Sequence, residues 1–401
     1  MMLKAKYAIV CISLSLLLTA CRSGGHEPIA LSEHNQAAAE QTLYPRFELA
    51  HAAPRELNPD LQQKLDEILQ RLGSEAEQST DQNDFKLTVT AEPDADAGCI
   101  AGGRLFVSEG MLAWIQNADE LAGVIAMAMQ QCPRASRLWR EREDMRLIEF
   151  DEPTELMYRY IDYRLNANAS LFNQLVASGC GSSNCFEAVS TRLATAGFDT
   201  QAAAGLYSRI RQGWPQSVWL ERIASESDAV SNVPADAEWT LLLEKYEEKR
   251  QGYADLAEVR RQISHGRLDL AYRAIRDARR VLGHTYETEM MQAELDLHNN
   301  HGYYSVRILE RLESKYGELP HHNFYWGWAH AQARRRQPGL QQLYASIETL
   351  PKVTAYYYLG RTYFELGDEA RAIEYFTHVL EAGPINPYAD NAEQLIARAR
   401  S

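Results

Sequence analysis

Histidine is missing from the middle of this 401-residue chain, since none occurs between His51 and His265. That stretch therefore has no side chain for an imidazole metal site or for a His-dependent Ser or Cys mechanism. A GxxxxGK[ST] phosphate loop and a GxSxG elbow are also absent, which removes two common enzyme signatures. Basic residues are in deficit: 41 Lys and Arg face 55 Asp and Glu, a net charge of −14 that argues against a nucleic-acid partner.

A long apolar run stands at the N-terminus, where Lys4 and Lys6 precede YAIVCISLSLLLTA. The run has the length of a signal-peptide core and is too short for a stable membrane span. It ends in Leu18-Thr19-Ala20-Cys21, which resembles a bacterial lipobox. The resemblance implies removal of residues 1–20 and acylation of Cys21. Arg22 in place of Asp implies a lipid-anchored outer-membrane protein that faces the periplasm. A plain signal peptide or an uncleaved anchor is the alternative.

Cysteine is sparse, and four remain after Cys21. An even number in an oxidising compartment favours disulfides. The short polar loop CGSSNC would close Cys180 to Cys185 and leave Cys99 with Cys132, but four cysteines allow three connectivities and the sequence does not choose. The spacing is not that of a zinc ribbon.

The chain divides by composition into four parts after the leader: a polar tether (21–57), a mixed domain (58–228), a linker rich in turn-forming residues (229–240) and a helical region (241–401). In the mixed domain, Asn58 and Pro59 open a predicted amphipathic helix, and FKLTVTAE predicts a strand over 85–92. Asn117 followed by Glu120 forms a capping-box pattern before a further helix.

The helical region repeats. Near its end, Gly360, Gly367, Ala372, Phe376 and Pro384 follow the tetratricopeptide pattern, with small residues where helices cross and a large aromatic ring in the hole. Four units are predicted, the first two irregular, with NPYADNAEQLIARA as a polar capping helix. A generic helical bundle is the alternative.

AGGRLFVSEGMLAWIQNADELAGVIAMAMQQC, residues 101–132, resembles the HtpX-like family of zinc peptidases. That family has a strand ending in a Gly pair, a V-x-x-G-L-L turn and then DELAAVLAHELAH. ATAGFDTQAAAGLYSRI resembles the family's ARAGYDP run. Together with the leader and the repeats, this is similar to periplasmic peptidases that assist outer-membrane β-barrel assembly. The resemblance implies a mainly α chain: an α+β zincin-like domain with a small sheet, followed by an α-solenoid of tetratricopeptide repeats.

The family's zinc-binding residues are missing from the matching positions. Met127-Ala128-Met129-Gln130-Gln131 stands where the family has HExxH, and the third-ligand Glu falls on Asn184. A thioether and an amide at Met127 and Gln131 are poor zinc ligands, and Ala128 cannot act as a base. We therefore expect no catalytic residue, no bound metal and no cofactor.

Two other metal interpretations remain. Met127, Met129 and Cys132 are soft donors that suit copper(I), although core packing of a buried helix is the simpler interpretation. Histidines also cluster in the repeats, in two groups: His298 with His301, and His321 and His322 with His330. The first group sits at a predicted turn, where solvated polar residues are usual.

We interpret the chain as a catalytically inactive peptidase-like lipoprotein that works as a protein-binding scaffold or chaperone-like factor in outer-membrane or envelope protein assembly or quality control. Its partners would be periplasmic or outer-membrane proteins held in the concave groove of the repeats. The register places five residues on that groove, with core packing as the alternative for the aromatics: Phe324, Trp328, Tyr357, Arg361 and Phe364. The alternative function is a metalloendopeptidase of the HtpX-like family active through atypical ligands.

Overall fold

A computed structural model describes Glu40, Tyr44 and residues 57–73, 85–100, 102–140, 183–214, 236–317, 322–349, 353–381 and 388–400. The leader, Cys21, nearly all of the tether, Cys180 and most of the predicted linker lie outside these residues. The described chain is mainly helical, with one small mixed sheet. Within these ranges no helix is both long enough and apolar enough to cross a membrane.

The first helix, α1 (Pro59–Gly73), forms as its sequence predicts. The Asn58 side-chain oxygen accepts the Asp60 N–H at 3.0 Å, so the polar cap satisfies one of the free amides of the first turn. Its buried side chains recur at helical spacing and form one stripe against the core: Leu61, Leu65, Ile68 and Leu72.

Three short strands form the sheet: β1 (Lys86–Thr90), β2 (Ala97–Cys99) and β3 (Arg104–Ser108). Their order is β1-β3-β2, with β1 parallel to β3 and β2 antiparallel to it. Gly102 and Gly103 turn the chain between β2 and β3, both at positive φ, which the missing Cβ permits. The predicted strand over 85–92 is confirmed at its centre, and the Gly pair separates two strands.

A long central helix, α3 (Ala118–Arg140), packs on the sheet and on α1 and follows the short helix α2 (Glu109–Leu112). Asn117 caps α3 by accepting the Glu120 N–H at 2.9 Å. The Glu120 carboxylate reaches back to the start of the helix, where it accepts the Gln116 N–H at 2.8 Å. Helices α4 (Ser183–Thr195) and α5 (Ala202–Gly213) cover the other side of α3.

Ten further helices follow in the described residues: α6 (Ala237–Glu247), α7 (Arg250–Ser264), α8 (Leu268–Leu282), α9 (Tyr286–His298), α10 (Gly302–Tyr316), α11 (His322–Gln332), α12 (Arg336–Thr349), α13 (Val353–Leu366), α14 (Glu369–Glu381) and α15 (Ala389–Ala399). Helix α6 begins inside the predicted linker, where the Asp236 carboxylate accepts the Glu238 N–H at 2.8 Å and Trp239 is buried. Helices α7 to α14 pack as four consecutive pairs, and α15 packs on the last.

The turn inside each pair has the same backbone. A residue at positive φ stands at Gly266, Asn300, Arg334 and Gly367, which gives intervals of 34, 34 and 33 residues. In each turn the next N–H bonds back across the helix end, for example His301 N–H to the Asp296 carbonyl at 2.7 Å. The inner turns of the first two units thus recur at the same interval as those of the later units, although the sequence pattern of these units is irregular. Asn300 and Arg334 adopt the left-handed conformation at the position that glycine holds in the first and fourth turns.

Each helix pair has one deeply buried residue on its first helix and one on its second helix at a constant spacing. Four combinations recur at the same spacing, each deeply buried: Val259 with Ile275, Ala293 with Leu309, Gly327 with Leu343, and Gly360 with Phe376. A Cβ added at Gly360 would lie 2.8 Å from the Phe376 ring, and one at Gly327 would lie 2.6 Å from Leu343 Cγ. The smallest crossing residues therefore admit the closest helix contacts.

The hydrophobic core does not divide at the predicted linker. Leu61, Val107 and Leu121 belong to one buried cluster that continues through Tyr253 and Leu256 as far as Leu295. A second cluster fills the remaining repeats. The first helix pair and part of the second are thus packed into the core of the α/β unit, which we define as residues 57–214.

Candidate functional site

The residues at the positions where the resemblance implies zinc ligands lie in the middle of α3 and are inside the core. Met127 is 0% exposed, Ala128 is 1% exposed and Gln131 is 6% exposed. The helix is covered by the sheet on one side and by α4 and α5 on the other. No part of this three-residue surface opens to a substrate.

The neighbours of this segment pack directly against it. A Cβ on Gly98 in β2 would lie 2.9 Å from the Gln131 side-chain oxygen, so the amide packs directly on the strand. Met129 Sδ accepts a hydrogen bond from Arg192 Nη1 of α4 at 3.5 Å. A guanidinium this close would repel a divalent cation.

A disulfide joins the segment to the sheet. Cys99 at the end of β2 is bonded to Cys132 of α3, with their Cα atoms 5.1 Å apart. This selects one pair among the connectivities that the sequence left open, while Cys180 and the Cys185 side chain lie outside the described residues. An oxidised Cys132 is not a thiolate donor, so the copper interpretation of Met127, Met129 and Cys132 is wrong.

Helix α4 contains the position at which the resemblance implies a third zinc ligand, which is Asn184 in this chain. Val189 and Leu193 bury its inner face against α3, and Asn184 lies in its first turn, although the Asn184 side chain is not among those described. Across the described parts of the chain, no group of three or more His, Cys, Asp or Glu side chains is placed to hold a metal ion.

The histidines of the repeats do not converge. His322 is buried, and its Nε2 is 3.0 Å from the Tyr286 hydroxyl; this burial lowers the His322 pKa to about 4. His330 stacks on Trp326 with ring centres 5.2 Å apart. His298 packs edge-on against Trp328. Each of these three rings has its own aromatic neighbour, and among the described residues they form no group of three metal-binding side chains. His321 lies outside the described residues.

Three of the five predicted groove residues belong to the core. Phe324, Trp328 and Tyr357 are 2%, 4% and 9% exposed. Trp328 packs between Phe324 and Tyr358, with ring centres 5.7 and 5.5 Å away. The prediction that these aromatics line an open groove is wrong, because neighbouring helices cover them.

The capping helix α15 explains the burial in the last pair. Tyr388 at its start stacks on Tyr357, with ring centres 4.5 Å apart. The Arg398 guanidinium lies 5.3 Å above the half-buried Phe364 ring. Of the predicted groove residues, Arg361 alone is exposed, and it pairs with Glu365 at 3.4 Å.

The α/β unit occupies the corresponding face of the first helix pair. Tyr253 donates its hydroxyl to the buried Glu109 carboxylate at 3.0 Å, and Arg260 forms an ion pair with Glu92. Sequence analysis missed both contacts. The partners are 144 and 168 residues apart, and the available signal was that Tyr253 and Arg260 fall on one face of α7.

Accessible polar and aromatic side chains remain on the first helices of the second and third pairs. Glu294, His298 and Tyr325 are half-buried or exposed there. Burial lowers the pKa of His298, against the attraction of Glu294, although the ring keeps accessible surface. Burial also raises the pKa of Tyr325 well above its ordinary value.

Comparison with known proteins identifies no relative: no family model matches the chain, and no curated protein matches it at a significant level. The geometry of the described residues therefore carries the functional argument.

Proposed function

We propose that this protein is a non-catalytic, peptidase-like lipoprotein that binds other envelope proteins as a scaffold or chaperone-like factor. The single observation that carries the proposal is the sealed segment of α3, where Met127, Ala128 and Gln131 lie in the core with Arg192 beside Met129. A hydrolytic zinc site needs an open coordination position, neutral imidazole donors and a base for the bound water. The segment provides none of the three.

The helix pairs support the tetratricopeptide part of the proposal. Turns recur every 33 or 34 residues, and a small residue faces a larger apolar one at each crossing of the last two pairs. Repeats of this length stack into a solenoid whose first helices form a continuous inner surface for partner proteins.

We place partner binding on the surface formed by Glu294, His298 and Tyr325, together with the exposed Arg361. The inner face of the first pair is held by Glu92 and Glu109 of the α/β unit, and α15 covers much of the last pair. The middle pairs thus retain the accessible polar and aromatic side chains that interfaces favour.

The absence of catalysis is tested by the zinc content and proteolytic activity of the purified full chain. We expect no stoichiometric zinc and no cleavage of unfolded casein. A matched variant, Arg192→Gln, removes the guanidinium beside Met129 and should also remain inactive, because no base or imidazole is introduced. Chelator-sensitive cleavage by either protein, free of contaminants, would support the alternative metalloendopeptidase.

The binding site is tested by photo-crosslinking in intact cells. A crosslinking residue at His298 or Tyr325 should give adducts with envelope proteins, whereas the same residue at Arg276, exposed on α8, should not. Equal adduct yields at all three positions would refute the assignment.

The lipid anchor is tested in the same cells. Cys21→Ser should release the protein from the outer-membrane fraction if acylation is its anchor.

A further inference from the structure

The turns inside the second and third helix pairs lie side by side at one end of the stacked helices. Gln332 at the end of α11 donates its side-chain amide to the Leu297 carbonyl at 2.7 Å and to Asn300 Oδ1 at 3.4 Å. Gly302 at the start of α10 approaches the Gln332 side chain so closely that an added Cβ would be 2.5 Å from it. We call this surface the turn rim and define it as residues 299–307 and 333–338.

The turn rim concentrates arginine in an otherwise acidic protein. Arg334, Arg335 and Arg336 are consecutive and exposed, and Arg307 is exposed on the neighbouring helix. Arg336 lies 3.8 Å from Glu365. Within the described part of the chain, neither the Arg334 nor the Arg335 side chain has an ion pair. The whole chain carries a net charge of −14, so this local excess of positive charge is the reverse of the average surface.

Two exposed tyrosines lie beside these arginines. Tyr303 is 54% exposed and Tyr304 is 57% exposed, and their rings are 6.1 Å apart. Arg307 lies 5.7 Å above the Tyr303 ring, and His301 packs edge-on against Tyr304. A tyrosine combines an apolar ring with a polar hydroxyl, which suits the boundary between water and lipid.

Folding alone does not explain this composition. The first turns of α10 and α12 contain no acidic residue, whereas those of α8 and α14 contain Asp269 and Glu369. Cations near a helix N-terminus are electrostatically unfavourable. Arg334 also adopts a φ of 57°, where the first and fourth pairs have glycine. The two middle turns thus retain side chains that oppose local stability, and these side chains point to an external partner.

We propose that the turn rim docks on a lipid surface that carries anionic phosphate headgroups. Guanidinium groups bind phosphate oxygens through paired N–H donors, and the two tyrosine rings would enter the headgroup layer beside them. The docking would orient a protein tethered at its N-terminus, so that the solenoid lies against the membrane. This inference adds a lipid-binding surface to the proposed function and holds whether or not Glu294, His298 and Tyr325 bind a partner protein.

The test uses the full chain with vesicles of phosphatidylcholine alone or mixed with phosphatidylglycerol. Hydrogen exchange should slow in residues 299–308 and 333–340 on the mixed vesicles only, and added salt should reverse the effect. Because the footprint is read at the rim, insertion of the N-terminal apolar run into either vesicle does not produce it. The variant Arg334→Gly/Arg335→Ala/Arg336→Ala should weaken vesicle-induced protection at the rim at least about tenfold in effective lipid concentration.

The glycine at position 334 suits the positive φ, so this variant should keep its fold, which far-UV circular dichroism would verify. Two further variants complete the comparison. Arg273→Ala/Arg276→Ala/Arg280→Ala removes the same charge from the exposed face of α8 and should leave the footprint intact. Arg334→Lys/Arg335→Lys/Arg336→Lys keeps the positive charge and should largely keep the hydrogen-exchange footprint. The proposal fails if the α8 variant loses the footprint equally, if the rim variant keeps it, or if acidic polyglutamate but not vesicles protects these segments.

Discussion

Tyr357 and Arg361 lie one turn apart on α13, but Tyr357 is buried against Tyr388 while Arg361 faces solvent. Tyr357→Ala should lower the free energy of unfolding by about 3 kcal/mol, because it empties a packed site between α13 and α15. Arg361→Ala should change it by less than about 0.5 kcal/mol. Urea unfolding of the two variants measures both values. Equal small effects would mean that the Tyr357 ring is not part of the core.

His322 makes stability depend on pH. Burial lowers its pKa from 6.5 to about 4, so the folded chain holds the ring neutral while the unfolded chain takes up a proton between these values. The free energy of unfolding is therefore at its full value above about pH 6.5 with respect to His322, and at pH 5 it is lower by about 2 kcal/mol. His322→Gln should therefore lose less stability between pH 7 and pH 5 than the unaltered chain. Identical pH slopes in urea unfolding would contradict this assignment.

At the scale of elements, the two residues at a helix crossing must fit each other in size. In the fourth pair Gly360 faces Phe376 at the crossing, and the second pair has the buried residues Ala293 and Leu309 at the same spacing. Gly360→Ala should clash with the Phe376 ring, and Phe376→Leu should leave a cavity, but the two together recreate the combination of the second pair. We expect a favourable coupling of about 1 kcal/mol or more in a double-mutant cycle. Additive effects would show that the two sites do not pack as a unit.

Local pattern predicted the elements whose determinants are local. The cap and buried stripe of α1 follow from residues within one or two turns of one another, and the crossing of the last helix pair follows from two residues on consecutive helices. The regular turns of the middle pairs were missed because Asn300 and Arg334 adopt a conformation that sequence patterns associate with glycine. Burial of Tyr357 was missed because α15, which covers it, follows in the chain and leaves no mark on the periodicity of α13.

The candidate site was predictable only in part. The residues at the expected ligand positions come directly from the sequence, and so does the missing base at Ala128. The surroundings of these residues could not be predicted, because Arg192 and Gly98 contact α3 from elements far away in the chain. The Cys99–Cys132 pair was one of several possibilities until the backbone placed β2 against α3. Long-range contacts of this kind are what a one-dimensional pattern lacks.

For the whole molecule, the shared core decides which fragments can fold. Tyr253 and Leu256 of α7 are buried together with residues of α1, β3 and α3. A chain ending at residue 228 exposes that surface, and it should aggregate or melt well below the full chain. A chain ending at residue 317 keeps the first two helix pairs and should melt cooperatively. Thermal melts of both fragments measure this; a residue 1–228 fragment as stable as the full chain would mean that the α/β unit is independent.

The continuity of that core also sets a timetable for biosynthesis. The cluster is complete only when the chain has been made as far as Leu295, although its first members, in α1, appear soon after residue 60. The proposed lipoprotein would be exported unfolded, so its early helices wait for their last packing partners until residue 295 has crossed the membrane. During this interval their apolar faces are open to aggregation and proteolysis. Loss of periplasmic chaperones should therefore lower the yield of the full chain, and the aggregated material should contain chains whose segment up to residue 295 has not packed.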